Sequence, residues 1–276
     1  MEQQQGDKSE CELAGEPARE ILFERHASDG VSWAEITLNR PDKGNALTLP
    51  MLARLGEIAD ELRGDRQTRA VVLRAEGRFF CTGGDIDAWS RLSPHDMGRD
   101  WILRGIDVFE RIASLPQPVI AAISGHALGG GLELAMAADL RIAVKQAKLG
   151  NPEVTLGMIP GWMGTRRLAE MIGPARARHL VLLGAPIGAA QAADWGLVTA
   201  LAEDAADLEV QLAGWLDRLL ANGPSAMALI KGLLATMHAD LRAHHASAVA
   251  QAAASEDCRE GVRAFAEKRT PVYRNR

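Results

Sequence analysis

The sequence predicts an α/β fold built on a largely parallel sheet and followed by a helical C-terminal portion. Up to about Ala200, short apolar runs alternate with longer stretches of helical periodicity, and strand–helix–strand connections of that kind pair strands in parallel through right-handed crossovers. Beyond that point the composition shifts to Ala, Leu, Arg and His with scarcely any strand signal, which predicts helices alone.

Residues 31–38 hold Trp33, Ile36 and Leu38 between Gly30 and the Asn39-Arg40-Pro41 break, the pattern of a strand running into a loop. Thr48 is placed to cap a helix over residues 49–62, where Leu52, Leu55, Ile58, Ala59 and Leu62 recur at helical spacing and Pro50 is tolerated in the first turn. Residues 70–73 read as a buried strand, and 77–84 as a strand or loop ending in glycines. Ile102, Ile106, Phe109 and Ile112 predict a helix over 101–115, ended by Pro116 and Pro118. Residues 118–124 then read as a fully buried strand, 132–138 as a helix entered through Gly129-Gly130-Gly131, and 140–144 as a strand again.

At 276 residues the chain can bury a large core. Its 31 Lys and Arg against 36 Asp and Glu leave a net charge of −5, which argues against a general nucleic-acid surface while admitting a small anionic substrate. Cys11, Cys81 and Cys258 lie far apart, without metal-ligand spacing or disulfide-scaffold density, and fit a reducing compartment. The residues through Pro17 are rich in Gln, Glu, Asp and Gly with no apolar signal run, so residues 1–18 are expected to form a disordered tail. No stretch approaches the ~18 consecutive apolar residues of a membrane span, and a cytoplasmic protein is expected.

Three segments could carry chemistry. In the first, Gly129-Gly130-Gly131-Leu132-Glu133 follows a strand and opens a helix. Three consecutive glycines cost more backbone entropy than a turn requires, and they let a ligand approach free N–H groups at a helix N-terminus. That suits a developing oxyanion. Glu133 itself is equally accounted for by complementing the helix dipole. In the second segment, Phe79-Phe80-Cys81-Thr82-Gly83-Gly84-Asp85, a hydrophobic run ends at two glycines and an acid, which alone reads as a surface turn. The third, Asn151-Pro152-Glu153, sets a carboxylate at the head of an apolar segment punctuated by Gly157, Pro160 and Gly161. Dinucleotide, phosphate-loop, nucleophile-elbow and zinc-protease motifs are absent from the sequence. His126, His179 and the His244-His245 pair lack partners at ligand spacing, and no metal is expected.

Taken with the early loop Asn39-Arg40-Pro41-Asp42-Lys43-Gly44-Asn45-Ala46-Leu47, with Gly164-Thr165-Arg166-Arg167-Leu168, with Ala193-Asp194-Trp195-Gly196-Leu197-Val198 and with the tail segment 260–269, these motifs resemble the crotonase (enoyl-CoA hydratase/isomerase) superfamily. The resemblance runs from about Phe23 to Tyr273. It implies a crotonase-like right-handed spiral of ββα turns with a C-terminal helical trimerisation region. A catalytic core would span residues 19–200, and helices over 201–276 would assemble homotrimers, often paired into hexamers. It further implies an acyl-CoA substrate, with coenzyme A part of that substrate and no separate cofactor, and neither a nucleic-acid nor a membrane partner.

Carried over by motif position, the N–H groups of Gly84 and Gly130 would form an oxyanion hole for the thioester, and Gly84, Asp85, Ile86 and Asp87 would line the CoA passage. Glu133 and Glu153 would be the acid/base pair. Hydratases of the family carry both glutamates whereas monofunctional isomerases commonly lack the first, so the resemblance implies addition of water to a 2-enoyl-CoA to give a 3-hydroxyacyl-CoA. Double-bond isomerisation, hydrolysis and decarboxylation are the alternatives within the family. A catalytically silent CoA- or RNA-binding relative is the alternative outside enzymes. The chain departs from the common pattern at Asp87, where many relatives carry Lys, and at Trp162-Met163, which fill a stretch that is often small and Gly-rich. Lys43, Arg40 and Lys268 become the candidate cations for CoA phosphates. Trp89, Trp162 and Met163 either shape the acyl pocket, which would favour a short or distinctive acyl chain, or serve as core or interface residues.

Overall fold

A computed structural model describes residues 17–28, 30–235 and 255–274. Most of the expected tail, residues 1–16, and the His244-His245 pair lie outside the described residues. The strands in chain order are β1 (Ile21–Ser28), β2 (Val31–Leu38), β3 (Thr68–Ala75), β4 (Phe79–Cys81), β5 (Val119–Ile123), β6 (His126–Leu128), β7 (Leu140–Val144), β8 (Lys148–Gly150), β9 (Ile187–Gly188) and β10 (Ala200–Ala202). The helices that matter for the site are α1 (Leu49–Gly64), α2 (Leu103–Ala113), α3 (Gly130–Ala135) and α4 (Gly164–Leu183).

The larger sheet has the order β1-β2-β3-β5-β7-β10, antiparallel between β1 and β2 and parallel elsewhere. A smaller sheet, β4-β6-β8-β9, is parallel except between β8 and β9. From β3 to α4 the chain makes one move three times: a strand in the large sheet, a strand in the small sheet, then helix. The large-sheet strands β3 and β5 are buried on both faces, as central parallel strands are, and so read as continuous apolar runs.

Helix α1 forms where the spacing predicts it. The Thr48 side chain accepts a hydrogen bond from the Met51 N–H at 3.3 Å, and Pro50 sits in the first turn, where it forfeits no helical bond. Its inner face buries Met51, Leu52, Leu55, Ile58 and Leu62, each removal from water contributing about 1.5–3 kcal/mol before entropy is charged. The predicted helix over 101–115 differs in its first turn. Residues 97–102 wind as a π-helix and the α-helical part is Leu103–Ala113, which brings Trp101 inward to near-complete burial. Helices Ala205–Ala221, Pro224–Ala235 and Glu256–Glu267 follow the sheets. Among the described residues no helix is long and apolar enough to cross a membrane.

Candidate active site

The three segments singled out in the sequence follow β4, β6 and β8, adjacent parallel strands of the small sheet. Parallel neighbours end on the same side, so Gly84, the Gly129–Gly131 turn and Glu153 emerge together at one sheet edge. The Gly129 N–H donates to the Gly150 carbonyl at 2.8 Å, tying the second turn to the third. A Cβ on Gly83 would lie 3.1 Å from the Gly130 nitrogen, so the first turn abuts the second closely. Gly83 also has φ +105°, a conformation an L side chain rarely adopts.

The early loop locks the first turn in place. Leu47 donates to the Gly83 carbonyl and accepts from the Asp85 N–H, both at 2.8 Å, bridging across Gly84. Asn45, fully buried at φ +54°, donates to the Glu76 and Phe79 carbonyls at 2.8 Å and accepts from the Arg40 N–H at 2.7 Å. Arg40 in turn donates to Asp85 at 2.6 Å and pairs with Glu20 at 3.0 Å. Burial alone would raise the Asp85 carboxyl, but hydrogen bonds from Arg40 and the Ala88 N–H outweigh it and hold the group below the usual carboxylate range. Arg40 is thus shared between Asp85 and Glu20, while Ile86, Asp87 and Lys43 are exposed beside it. Lys268 is exposed after the helix Glu256–Glu267. Among the described residues, the N–H groups of Gly84 and Gly130 have no hydrogen-bond acceptor.

Glu133, in the first turn of α3, is 1% exposed. Its Oε1 accepts from the N–H groups of Trp162 at 2.8 Å and Gly164 at 2.7 Å. Gly164 is dictated by this contact, because a Cβ there would stand 2.6 Å from that oxygen. Burial, and after it the charge of Glu153, push the Glu133 carboxyl up to about 7, against the pull of the two N–H donors and of Arg167. Burial likewise raises Glu153. Its Oε1 accepts from the Asn151 amide at 3.2 Å, and its buried Oε2 has no partner among the described residues. Both glutamates line one cleft, the arrangement the motifs imply.

The cleft is narrow, with about 70 Å³ of free space, and its walls are apolar: Trp89, Met97, Trp101, Ile102, Met158 and Trp162. Trp89 and Trp162 line this cleft, and Trp162 is at the same time part of the buried core, with Trp89 packed against it. Met163 is not among the lining residues. It sits at φ 70°, ψ 16°, the left-handed residue that turns the Trp162 and Gly164 N–H groups toward the same Glu133 oxygen. A β-branched residue tolerates that conformation worst. Met163→Ile is expected to lower stability by about 1–2 kcal/mol and Met163→Gly to leave it undiminished, read from urea unfolding midpoints. Trp101, Ile102 and Met97 are wall residues that the sequence does not single out: the first two fall in a run that helical periodicity accounts for, and Met97 lies before it.

The repeating ββα scaffold is that of the crotonase-fold α/β proteins. The chain belongs to the enoyl-CoA hydratase/isomerase family, whose model matches residues 28–276. It is 39% identical over 246 residues to a probable enoyl-CoA hydratase of Bacillus subtilis, covering 87% of this chain and 95% of that one. It is 35% identical to the short-chain-enoyl-CoA hydratase of Clostridium acetobutylicum, over 86% of this chain and 92% of that one. The crystal structure of an enoyl-CoA hydratase from Bacillus anthracis superposes with a TM-score of 0.87 at 35% identity, covering 93% of this chain and all of its own.

Proposed function

We propose that this protein is an enoyl-CoA hydratase, adding water across the double bond of a 2-enoyl-CoA to give a 3-hydroxyacyl-CoA. The observation that carries the reading is the pair of glutamates, raised in pKa by burial, that share one apolar cleft bordered by two unpartnered glycine N–H groups. The names of the relatives from Bacillus subtilis and Clostridium acetobutylicum support the same reaction.

Attack of water on the β-carbon moves negative charge onto the thioester oxygen. Two preorganised donors, Gly84 and Gly130, meet that charge at a helix N-terminus and lower the barrier by several kcal/mol. Two carboxylates this close in a poorly solvated cleft hold one proton between them near neutrality, and the titration belongs to the pair. One member of the pair, as the carboxylate, takes the proton from the attacking water, while the other, as the acid, delivers a proton to the α-carbon. One proton is gained and one given, so the addition returns the pair to a single shared proton.

Loss of absorbance from crotonyl-CoA, with the product identified by mass as the 3-hydroxy thioester, tests the reaction. A product of unchanged mass with a moved double bond, or free coenzyme A, would replace hydration by isomerisation or hydrolysis. We further propose that the C-terminal helices assemble trimers, a reading supported by the exposed Ile230, Leu234 and Val262 on them. Light scattering on the full chain measures that.

A further inference from the structure

We propose that Trp101 and Trp162 close the inner end of the cleft, so that it takes short, uncharged acyl groups and rejects long-chain and carboxylate-ended ones. This rests on the reading of the cleft as an acyl-CoA site and specifies which acyl-CoA.

The wall is built rather than incidental. The two indoles are 4% and 2% exposed, with ring centroids 5.7 Å apart, and Phe109 backs Trp162 edge-on at 5.2 Å. Trp162 Nε1 donates to the Trp101 carbonyl at 3.3 Å, which fixes the indole's rotation. Glycines make room for both rings. A Cβ would come within 2.2 Å of Trp162 at Gly105, within 2.3 Å of Trp162 at Gly130, and within 2.7 Å of Trp101 at Gly84. The indoles therefore press against the very glycines whose N–H groups border the site, and an acyl chain running inward meets aromatic rings within a few atoms.

The remaining space, about 70 Å³, is far below the ~300 Å³ at which drug-sized pockets begin. On the outer side Ile159 is 74% exposed, so a longer chain leaves the cleft into water instead of burying more area. The lining carries no Lys, Arg or His among the described residues, and its only charges are the two glutamates. A second carboxylate on the acyl group would be desolvated without a partner and repelled by Glu133 and Glu153.

Calorimetric titration of the full chain with butyryl-, octanoyl- and glutaryl-CoA, saturated probes that cannot be hydrated, tests this separately from catalysis. The expected order is butyryl-CoA tightest, with octanoyl- and glutaryl-CoA each at least tenfold weaker. Trp162→Ala keeps the backbone donor to Glu133 while removing the wall, and is expected to bring octanoyl-CoA to within about threefold of butyryl-CoA. Trp162→Phe should keep the parent's order. Octanoyl- or glutaryl-CoA binding the parent as tightly as butyryl-CoA overturns the inference, and that comparison stands even if Trp162→Ala fails to fold. A parent that shows the expected order yet does not hydrate crotonyl-CoA overturns the hydratase reading alone. A parent that binds none of the three overturns both.

Discussion

Glu133→Gln and Glu153→Gln are each expected to lower kcat for crotonyl-CoA hydration by about 10²–10⁴-fold, the range set by loss of one general acid or base. Gln at 133 keeps an oxygen able to accept from Trp162 and Gly164, so the loop should stay in place and the loss reports proton transfer rather than collapse. Affinity for butyryl-CoA should change little in either variant, because the apolar walls and the glycine turns are untouched. The double variant should fall little further than the worse single one, since two groups that share one proton act as a unit. Stopped-flow or steady-state absorbance with both singles and the double measures this. A single variant that keeps near-parental kcat would remove that glutamate from the mechanism.

The parts of the fold visible in the sequence are those whose signal spans several residues. Helix α1 can be read because Thr48, Pro50 and five apolar positions agree on it, and β3 and β5 because buried parallel strands leave unbroken apolar runs. The small sheet is legible only at β4, inside the stretch 77–84 that reads as a strand or loop. Strands β4, β6 and β8 have three residues each, too few for any periodicity to register. Strand β1, carrying Glu24, Arg25 and His26, is hidden by its polar residues and exists through its antiparallel pairing with β2. Yet the small sheet is what brings the site together, so residue-level reading finds each loop and has no means of joining them.

For the same reason Glu133 reads equally well as a dipole-complementing residue, and Glu153 as a solvated loop acid. Only the order of motifs along the chain, through the resemblance to a family, couples them. The early loop shows a different limit. In sequence its residues form a motif without a mechanism, and the geometry supplies one: Asn45, Leu47 and Arg40 pin the turn that presents Gly84. Trp101 is hidden by helical periodicity, and the π-helical turn that swings it inward has no sequence signature of comparable strength.

Stability should fall as pH rises from about 4.5 to about 7, through the Glu133–Glu153 pair. The Glu133 carboxyl is raised from its ordinary 4.5 to about 7 in the folded protein, mainly by burial and then by the charge of Glu153. Across that window the folded chain keeps a proton that the unfolded chain has released, so the slope of unfolding free energy with pH is negative. The contribution is fully present below pH 4.5 and lost as pH passes 7. At about 1.4 kcal/mol for each pH unit between the unfolded and folded values, the interval corresponds to at most about 3–4 kcal/mol, shared by the pair. Groups such as Asp65 and Asp85, held below the usual carboxylate range, act with the opposite sign at lower pH, so the parent's curve alone is ambiguous. The difference between parent and Glu133→Gln isolates the contribution of Glu133. Gln has no proton to lose, so the variant should match the parent near pH 4.5 and exceed it by about 1–3 kcal/mol at pH 8, read from urea midpoints at the two pH values. An equal difference at both would mean that Glu133 titrates alike in the folded and unfolded chain, and the cleft would then lack the desolvation that proton transfer near neutrality requires. The same burial that costs the fold stability above pH 7 is what keeps a proton available up to that pH, so a gain in stability with loss of turnover is the combined signature of a working acid/base pair.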